Sequence, residues 1–339
     1  MKDTYPYNRL SSSFERKIHK RLTHVIDAKS KMLLACSAGI DSTAMLLMMT
    51  RCYPKNKIEV AYFDHGTRSK KAHQKEYDFL TEICTNLNVQ IHRGVLNKKI
   101  KKQSEEVLRL ARYQWLSTLC NENSFQYIVT GHHLNDQAET LLFRLTRGTS
   151  LDGIQSIQIV SQLNNEMILN KKMNNNIFLL RPLLDFAKND LKAYLDALGI
   201  KAISDPTNND LSYSRNLIRN KVLPKLEDIN PKAIHAIARF ALIAQKDDKA
   251  LLFFANQNYS EIVTEYDTAV KIDIVKLNKL PNAIITRIII LSCRYLNLSI
   301  NSDQIKHIID LKDKNRAIYS LSKAEVTTNK KVITIKQLI

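Results

Sequence analysis

The 339-residue sequence has no paired cysteines and no long apolar run. Its five cysteines are widely separated and never form a C-x-x-C pair, so neither a disulfide framework nor a zinc or iron–sulfur site is predicted. No stretch has the apolar length that crosses a bilayer, and the first residues hold no apolar signal-peptide core. We expect a reduced protein with no membrane partner, cytoplasmic in the simplest case, with an organelle stroma or matrix as the alternative.

Acidic residues are also scarce beside basic ones. Lys and Arg number 51 against 33 Asp and Glu, a formal net charge of +18, and the excess is spread along the chain rather than concentrated in a tail. Such a surface attracts polyanions, and a long RNA footprint fits a diffuse excess. A Lys-rich but ordinary solvated surface gives the same count, so charge alone leaves both interpretations open.

The order of apolar patterns indicates two domains. Up to about residue 200, short aliphatic runs alternate with helical patterns, which predicts an α/β fold with a doubly wound, mostly parallel sheet. From about residue 230 the pattern is mainly helical, and the last residues alternate like a closing hairpin. The predicted regions are an N-terminal extension or helix (1–30), an α/β domain (31–212) and a mainly helical domain with a possible C-terminal hairpin (213–339).

The predicted strands of the first domain end in loops rich in polar residues. A polar, Asn-rich stretch (160–176) predicts a loop or weak hairpin, and SDPTNND (204–210) predicts a linker. The predicted strands are 31–36, 58–63, 89–94, 125–131 and 177–183.

The stretch LLACSAGIDST (33–43) follows the first predicted strand and fits two chemistries. Ser37 as a nucleophile would need a G-x-S-x-G elbow, which is incomplete, and no Walker-type loop is present either. As a phosphate cradle, small residues at Ala38 and Gly39 let backbone N–H groups approach an anion beside the start of a helix. Asp41 would repel a bare phosphate, so its presence suggests a bridging Mg2+.

Two later stretches, FDHGTR (63–68) and GHHLNDQAET (131–140), follow other strands and should reach the same carboxyl edge of the sheet. Asp136 and Glu139 are three apart, so on a helix both carboxylates share a face and could hold metal, act as bases or bind a cationic amine. Histidines beside acids in short loops are often only packing or capping groups. A metal phosphoesterase is the competing hypothesis, built from Asp64, His65, His132, His133 and Asp136.

The first stretch resembles the S-G-G-x-D-S signature of the PP-loop, or N-type ATP pyrophosphatase, superfamily, which cleaves ATP between the α and β phosphates and adenylates a substrate. Ala38 departs from it, because the signature has Gly there. If the position requires positive φ, alanine costs roughly 1–2 kcal/mol. If it requires only a small side chain, the change is tolerated.

Together the motifs resemble the tRNA(Ile)-lysidine synthase family over about residues 31–220. They are FDHGTR, ARYQWL (111–116), GHHLNDQAET followed by R-x-x-R-G-T (144–149), RPLL (181–184) and DPTNND...SRNLIR (205–219). The resemblance implies a ligase that uses ATP to activate C2 of cytidine 34 in the CAU anticodon of tRNA(Ile). Free L-lysine then displaces AMP to give lysidine, and a homodimer is one assembly that the resemblance allows.

The resemblance also implies that residues 31–212 form a PP-loop ATP pyrophosphatase catalytic domain and that residues 213–339 bind tRNA, and it implies roles for individual residues. Asp41, Asp136 and Glu139 would be catalytic, Asp41 would hold Mg2+, and Asp136 with Glu139 would bind lysine. The ATP and pyrophosphate site would comprise Ser37, Ala38, Gly39, Ile40, Asp41, Ser42, Asp64 and His65. The candidates for triphosphate or tRNA phosphate contacts are Arg112, Arg144, Arg147, Arg181, Arg215 and Arg219. For each of them a surface or helix-solubilising role explains the arginine as well as a phosphate contact does.

Other functions explain fewer residues. Cytidine-thiolating relatives generally carry paired cysteines, and glutamine-dependent synthetases need a glutaminase, for which about thirty residues before the loop leave no room. NAD synthetase fits the loop but not GHHLNDQAET. A non-catalytic RNA-binding PP-loop protein is the alternative from another class, and Ala38 is the feature that favours it.

Overall fold

The computed structural model describes residues 9–27, 29–96, 105–151, 153–154, 156–163, 176–203 and 214–338. The predicted linker (204–210) and most of the predicted Asn-rich loop (160–176) lie outside these residues. Among the described helices, none has both the length and the apolar character to cross a membrane.

The chain divides into two compact units, residues 1–149 with 154–241, and residues 150–153 with 242–339. The predicted domain boundary at 212/213 therefore falls inside the first unit. The reason is that the segment after the linker packs on the first unit: Ile218, Leu223 and Ile234 share an apolar cluster with Leu134 and Ala138.

A six-stranded sheet forms the centre of the first unit, with strand order β3-β2-β1-β4-β6-β5. All neighbouring pairs are parallel except the pair of β5 and β6, which is antiparallel. The five predicted strands are present, and β5 adds a short antiparallel edge. The strands are β1 (Met32–Ala35), β2 (Ile58–Asp64), β3 (Ile91–Val95), β4 (Tyr127–Thr130), β5 (Val160–Gln162) and β6 (Phe178–Leu180).

Helices cover both faces of this sheet, which is why its central strands are continuous apolar runs. In β1, Met32 and Leu34 belong to one buried cluster and Leu33 to another. The helices are α1 (Arg9–Leu22), α2 (Ile40–Cys52), α3 (Lys70–Leu87), α4 (Glu105–Asn123), α5 (Leu134–Thr146), α6 (Lys188–Ala197), α7 (Ser214–Leu217) and α8 (Leu223–Ile229).

The N-terminal helix α1 is an integral part of the first unit. Ile18 and Leu22 are fully buried in its core. Glu15 accepts a hydrogen bond from Arg51 of α2 (2.7 Å) and another from the Tyr194 hydroxyl of α6 (2.9 Å). The predicted N-terminal extension thus contains a helix that is fixed to two others by a buried ion pair.

Helix α9 (Ala233–Ile262) starts in the first unit and continues in the second. The second unit has the predicted helices, and it also contains a five-stranded antiparallel sheet of order β7-β8-β11-β10-β9, where sequence alone predicted only a closing hairpin. Its remaining elements are β7 (Val263–Tyr266), β8 (Ala269–Asp273), α10 (Ile274–Leu277), α11 (Asn282–Tyr295), α12 (Ser302–Asp310), β9 (Ala317–Leu321), β10 (Ala324–Thr328) and β11 (Val332–Gln337).

Candidate active site

The chain order of the first sheet creates a crevice between β1 and β4. From β1 the chain proceeds outward to β2 and β3 on one side, then returns to place β4 on the other side. In open α/β sheets ligands bind at the carboxyl ends of the strands at such a reversal. The loops that meet there are the two sequence-predicted ones, after Ala35 and after Thr130.

The first loop leads into helix α2, whose N-terminus is left open. Gly39 is the N-cap residue and no side chain caps the helix. The first N–H groups of a helix have no partner inside it, so those of Ile40, Asp41 and Ser42 are available to an anion. The Ser37 and Ser42 hydroxyls lie 3.4 Å apart beside them. Backbone donors, hydroxyls and the positive end of the helix therefore converge on one point.

Ala38 occupies the left-handed backbone region, with φ of +62°. The position therefore does require positive φ, the conformation that glycine adopts freely and alanine at roughly 1–2 kcal/mol. The Ala38 methyl is fully buried in the main core, and the Ala38 carbonyl accepts a hydrogen bond from the Ile203 N–H (3.0 Å). Burial and this bond offset the conformational cost, so the turn keeps its shape without a glycine.

Gly131 brings the second loop against the first. A Cβ atom at this position would lie 3.1 Å from the Asp41 carbonyl carbon and 3.2 Å from the Ser42 nitrogen. Such spacing is tighter than normal carbon contacts, so only glycine lets the two loops approach this closely. The residues after Gly131 are thereby held beside the start of α2.

His133 links the two loops through Asp41. Its Nδ1 accepts a hydrogen bond from the Asn135 N–H (3.2 Å) at the start of α5, and its Nε2 lies 3.5 Å from Asp41 Oδ2. Burial opposes the charged form of each partner, but the mutual contact outweighs it: the pKa of Asp41 is lowered and that of His133 is raised. The charges of Lys188 and Arg219 lower the Asp41 pKa further. His133 is thus both the predicted capping group and part of the site.

Asp41 fits the predicted Mg2+. Its Oδ1 is buried and has no hydrogen-bond partner among the described residues, and its lowered pKa keeps the carboxyl ionised. Within the described part of the chain, no group of three or more His, Cys, Asp or Glu side chains could hold a metal. An ion at Asp41 would therefore take its other ligands from phosphate and water, as Mg2+ usually does. The competing phosphoesterase cluster is not assembled.

A cavity of about 440 Å³ opens beside these loops. Asp64 and Ala38 do not line it, and neither does Glu139. Of the predicted site residues, those that do are Ser37, Gly39, Ile40, Asp41, Ser42, His65, Arg112 and Asp136.

The far wall of the cavity belongs to β2 and the loop after it. His65 lines the cavity, and burial followed by the positive charge of Arg112 lowers its pKa to about 4, so it is neutral at pH 7. Asp64 instead fixes the loop: its Oδ1 accepts a hydrogen bond from the Gly66 N–H (2.8 Å) and lies 3.2 Å from His73 Nε2. Sequence reasoning assigned Asp64 to the nucleotide, whereas its contacts are with the protein.

The predicted lysine-binding pair is engaged by Arg219. The arginine donates to Glu139 through Nε (2.6 Å) and Nη2 (2.8 Å), and Nη2 also lies 3.4 Å from Asp136 Oδ1. Burial raises the pKa of Glu139 overall, although the arginine acts in the opposite direction. Asp136 Oδ2 accepts the His133 N–H (2.8 Å). Arg219 lies in a π-helical turn, Ile218–Val222, a geometry that often occurs at functional sites.

The other predicted arginines lie at three different places in the first unit. Arg112 lines the cavity. Arg181 is buried, and its Nη1 donates to the Gln158 carbonyl (2.8 Å) and the Ser161 hydroxyl (3.0 Å), so it ties β6 to the β5 segment. The remaining three form a surface cluster near Phe143. Arg147 and Arg215 lie 5.5 and 5.9 Å from the Phe143 ring centre, and the charge of Arg215 adds to burial in lowering the pKa of the third, Arg144.

Comparison with known proteins agrees with this geometry. Residues 10–226 match the model of the PP-loop domain. A tRNA(Ile)-lysidine synthase from Nostoc sp. is 32% identical over 254 residues, which are 74% of this chain and 70% of that protein. The synthase from Wolbachia pipientis is 32% identical over 78% of this chain and 59% of its own length, and that from Thermosipho africanus 34% over 64% and 48%.

The chain belongs to the tRNA(Ile)-lysidine synthase family. It spans between about half and 70% of the length of these relatives. A solved U34-tRNA thiolase from Methanococcus maripaludis shares the fold, with a TM-score of 0.55 at 15% identity over 70% of this chain and 80% of that one.

Sequence reasoning missed Lys188 as a member of the site. It lines the cavity at the start of α6, and its charge lowers the pKa of Asp41 after the larger effects of burial and His133. Its N–H donates to the Asn135 side chain (3.0 Å), which fixes the start of α6 to α5. The available signal was a cation at the first residue of a predicted helix, soon after RPLL.

Proposed function

We propose that the protein attaches lysine to C2 of cytidine 34 in the CAU anticodon of tRNA(Ile). ATP first adenylates the cytidine with release of pyrophosphate, and the lysine ε-amine then displaces AMP. The observation that carries this proposal is the placement of two groups at one crevice: an open phosphate cradle at α2 and the Asp136–Glu139 carboxylate pair on α5. The names of the relatives support the same reaction and substrate.

The cradle would bind the β and γ phosphates that leave as pyrophosphate. The free N–H groups at Ile40 to Ser42 and the Ser37 hydroxyl would donate to phosphate oxygens, so Ser37 acts as a donor and not as a nucleophile. The Ser42 hydroxyl donates to the Gly39 carbonyl (3.2 Å) and would turn from it to reach a phosphate. Lys188, at the start of α6, adds a positive charge on the same side. Mg2+, held by Asp41, would neutralise charge on the phosphate oxygens when bound.

Lysine would bind through its ammonium groups at Asp136 and Glu139, because carboxylates form charge-assisted hydrogen bonds with them. Both Glu139 oxygens accept from Arg219 in the structure, so an ammonium can reach Glu139 only when Arg219 withdraws or shares the carboxylate. Asp136 lines the cavity, whereas Glu139 does not, so an entering amine can meet the Asp136 carboxylate before Arg219 moves. The unperturbed pKa of the ε-amine is near 10.4, so a proton must leave before attack.

The tRNA would contact the arginine surface around Phe143, where guanidinium groups can pair with backbone phosphates. Arg112, inside the cavity, would contact the triphosphate or the nucleotide being modified. The first assignment follows from the positive charge at the C-terminal end of α5, and the second from the position of Arg112 in the cavity wall.

The proposal is tested by AMP release from ATP with each substrate withheld in turn. Release of AMP should require a tRNA that bears C34, and its steady-state rate should require lysine. Asp41→Asn removes the charge that holds Mg2+, so this variant should form no AMP. AMP formation at the wild-type rate by Asp41→Asn would remove the Mg2+ role. A wild-type chain that binds tRNA but releases no AMP would instead favour the non-catalytic RNA-binding alternative.

A further inference from the structure

Strand β3 has a glycine where the neighbouring strand β2 has a phenylalanine. Gly94 pairs in register with Phe63, so both positions project to the same face of the sheet. The missing side chain leaves a gap beside Phe63, and Trp115 of α4 lies in this gap. A Cβ atom at position 94 would lie 2.8 Å from Cζ2 of the indole and closer still to Cδ2 and Cε2. Of the amino acids, glycine alone therefore admits the indole here.

Aromatic contacts connect the indole to a wall of the cavity. The ring centre of Phe63 lies 5.5 Å from that of Trp115. The opposite neighbour of Phe63 is His65, at 5.0 Å and edge to face. Phe63 and His65 line the cavity, whereas Trp115 does not. The indole is therefore located behind the cavity wall and does not form part of its surface.

Helix α4 also places Arg112 in this wall. Arg112 precedes Trp115 by three residues, so the two share a face of the helix. Arg112 lines the cavity, and its Nε is buried with no hydrogen-bond partner among the described residues. Its guanidinium lies over the ring of Tyr113 (5.2 Å), a residue of the same helix that moves with it. The position of the guanidinium therefore depends on where α4 lies on the sheet.

We propose that Trp115 is a positioning residue for the reaction. By filling the gap at Gly94, the indole fixes α4 on the sheet and so holds Arg112 in the cavity wall. A displacement of about 1 Å at a group that contacts substrate can lower a rate of the order of a hundredfold. This inference rests on the proposed function, in which Arg112 contacts the triphosphate or the nucleotide being modified. The competing explanation is that the aromatic cluster only packs the core.

The first experiment expels the indole from the gap with Gly94→Ala. Trp115 is the one tryptophan of the sequence, so its emission reports on its surroundings. We expect the emission to shift to longer wavelength and kcat/KM for ATP in AMP release to fall at least about tenfold. In a Trp115→Leu background the added methyl has room, and Gly94→Ala should cost less than about threefold more. Unchanged emission, or an equal loss in both backgrounds, overturns the inference.

The second experiment combines Trp115→Phe with Arg112→Gln. The smaller ring does not reach as far into the gap, so we expect Trp115→Phe alone to lower kcat/KM for ATP about tenfold. In the Arg112→Gln background it should lower kcat/KM less than about threefold, because the group that it positions is gone. A tryptophan that only stabilises the fold would act by the same factor in both backgrounds.

The matched control is Phe125→Leu, which alters another aromatic residue of the same buried cluster, away from the cavity. It should lower the melting temperature at least as much as Trp115→Phe, yet change kcat/KM at 25 °C less than about threefold. An equal loss of activity in this control would assign the effect to stability and overturn the inference. If the wild type forms AMP but the effects of Trp115→Phe and Arg112→Gln multiply, this inference fails alone. If the wild type binds tRNA and ATP but forms no AMP, the proposed function fails and this inference fails with it.

Discussion

At residue 38 an alanine holds a backbone conformation that glycine favours, and its surroundings explain why the turn survives. The methyl group is buried in the main core, and the carbonyl is bonded to the Ile203 N–H. Sequence alone could not decide this point, because alanine is small enough for either backbone region. The structure identifies the position as conformationally strained and shows that the side chain is used for packing.

Ala38→Gly should therefore be nearly neutral for stability. Glycine relieves roughly 1–2 kcal/mol of strain, but it removes a buried methyl worth about 0.8 kcal/mol and frees the unfolded chain by roughly 0.4–1 kcal/mol. We expect the free energy of unfolding in guanidinium chloride to change by less than about 1 kcal/mol. Ala38→Val, branched and overpacked, should lose about 2 kcal/mol or more. A similar loss of unfolding free energy in Ala38→Gly would show that the backbone of Ala38 is not strained.

Glu139→Gln should act on lysine rather than on ATP. The amide keeps the shape and leaves Arg219 an acceptor, but it removes a charge-assisted bond worth about 1.5–3 kcal/mol. We expect the lysine KM to rise at least about tenfold while formation of the adenylated tRNA is unchanged. Glu82→Gln, an exposed carboxylate on α3, is the control. An unchanged lysine KM would remove Glu139 from the amine site.

The sequence predicted those site residues that lie close together in short motifs. Asp41, Asp136 and the hydroxyls of the first loop lie together, as short motifs after neighbouring strands lead one to expect. The Arg219–Glu139 pair had no such signal, because eighty positions separate its members in the chain. Asp64 was assigned to the nucleotide for its place in the motif, yet its carboxylate stabilises the loop.

At the scale of elements, the first sheet could be predicted because its strands are apolar on both faces and bounded by turn residues. The second sheet was largely missed. Its strands β7 and β8 have only four and five residues between long helical patterns, so their alternation is brief. The π-helical turn that carries Arg219 has no sequence signature at all, since it depends on hydrogen-bond register within a helix.

Gly131→Ala tests the contact between the two loops of the crevice. The added methyl would meet the backbone of Asp41 and Ser42 at 3.1–3.2 Å, so the loops must separate by a few tenths of an ångström. We expect the rate of AMP release to fall at least about tenfold, with a loss of about 1–3 kcal/mol in unfolding free energy. Wild-type activity in this variant would show that the loops need not touch.

The control for that variant is Gly199→Ala. Gly199 has φ of +70° and open space around its Cα, so alanine there strains the backbone without a clash. Gly199→Ala should lose roughly 1–2 kcal/mol of unfolding free energy, a loss similar to that of Gly131→Ala. Its rate of AMP release at 25 °C should match that of the wild type. A difference in activity between two variants of similar stability would locate the effect at the crevice.

At the scale of the whole molecule, the net charge of +18 is the dominant feature. If the chain binds tRNA through several phosphates, log Kd should rise steeply with log salt, with a slope of about 3–7 for four to eight contacts. Filter binding or fluorescence anisotropy between about 0.05 and 0.2 M salt measures it. A flat profile would mean that the lysine excess only solvates the surface.

The residues proposed to act on ATP, lysine and tRNA lie in the first unit, which holds the cradle, the carboxylate pair and the Phe143 arginine surface. Chemistry and most sequence motifs thus lie in the first unit, which also contains residues 214–241. The predicted boundary at 213 followed the linker, whereas packing onto α5 determines the actual division.

The most direct test of the proposed function is mass analysis of the tRNA itself. The full-length chain is incubated with ATP, Mg2+, isotope-labelled lysine and tRNA(Ile) with a CAU anticodon, and the digested nucleosides are compared with those from a tRNA carrying U34. The predicted result is labelled lysine covalently attached at nucleotide 34 of the first tRNA only, with AMP formed in equal amount. Cytidine 34 left unmodified, by a preparation that binds both ATP and the tRNA, would contradict it.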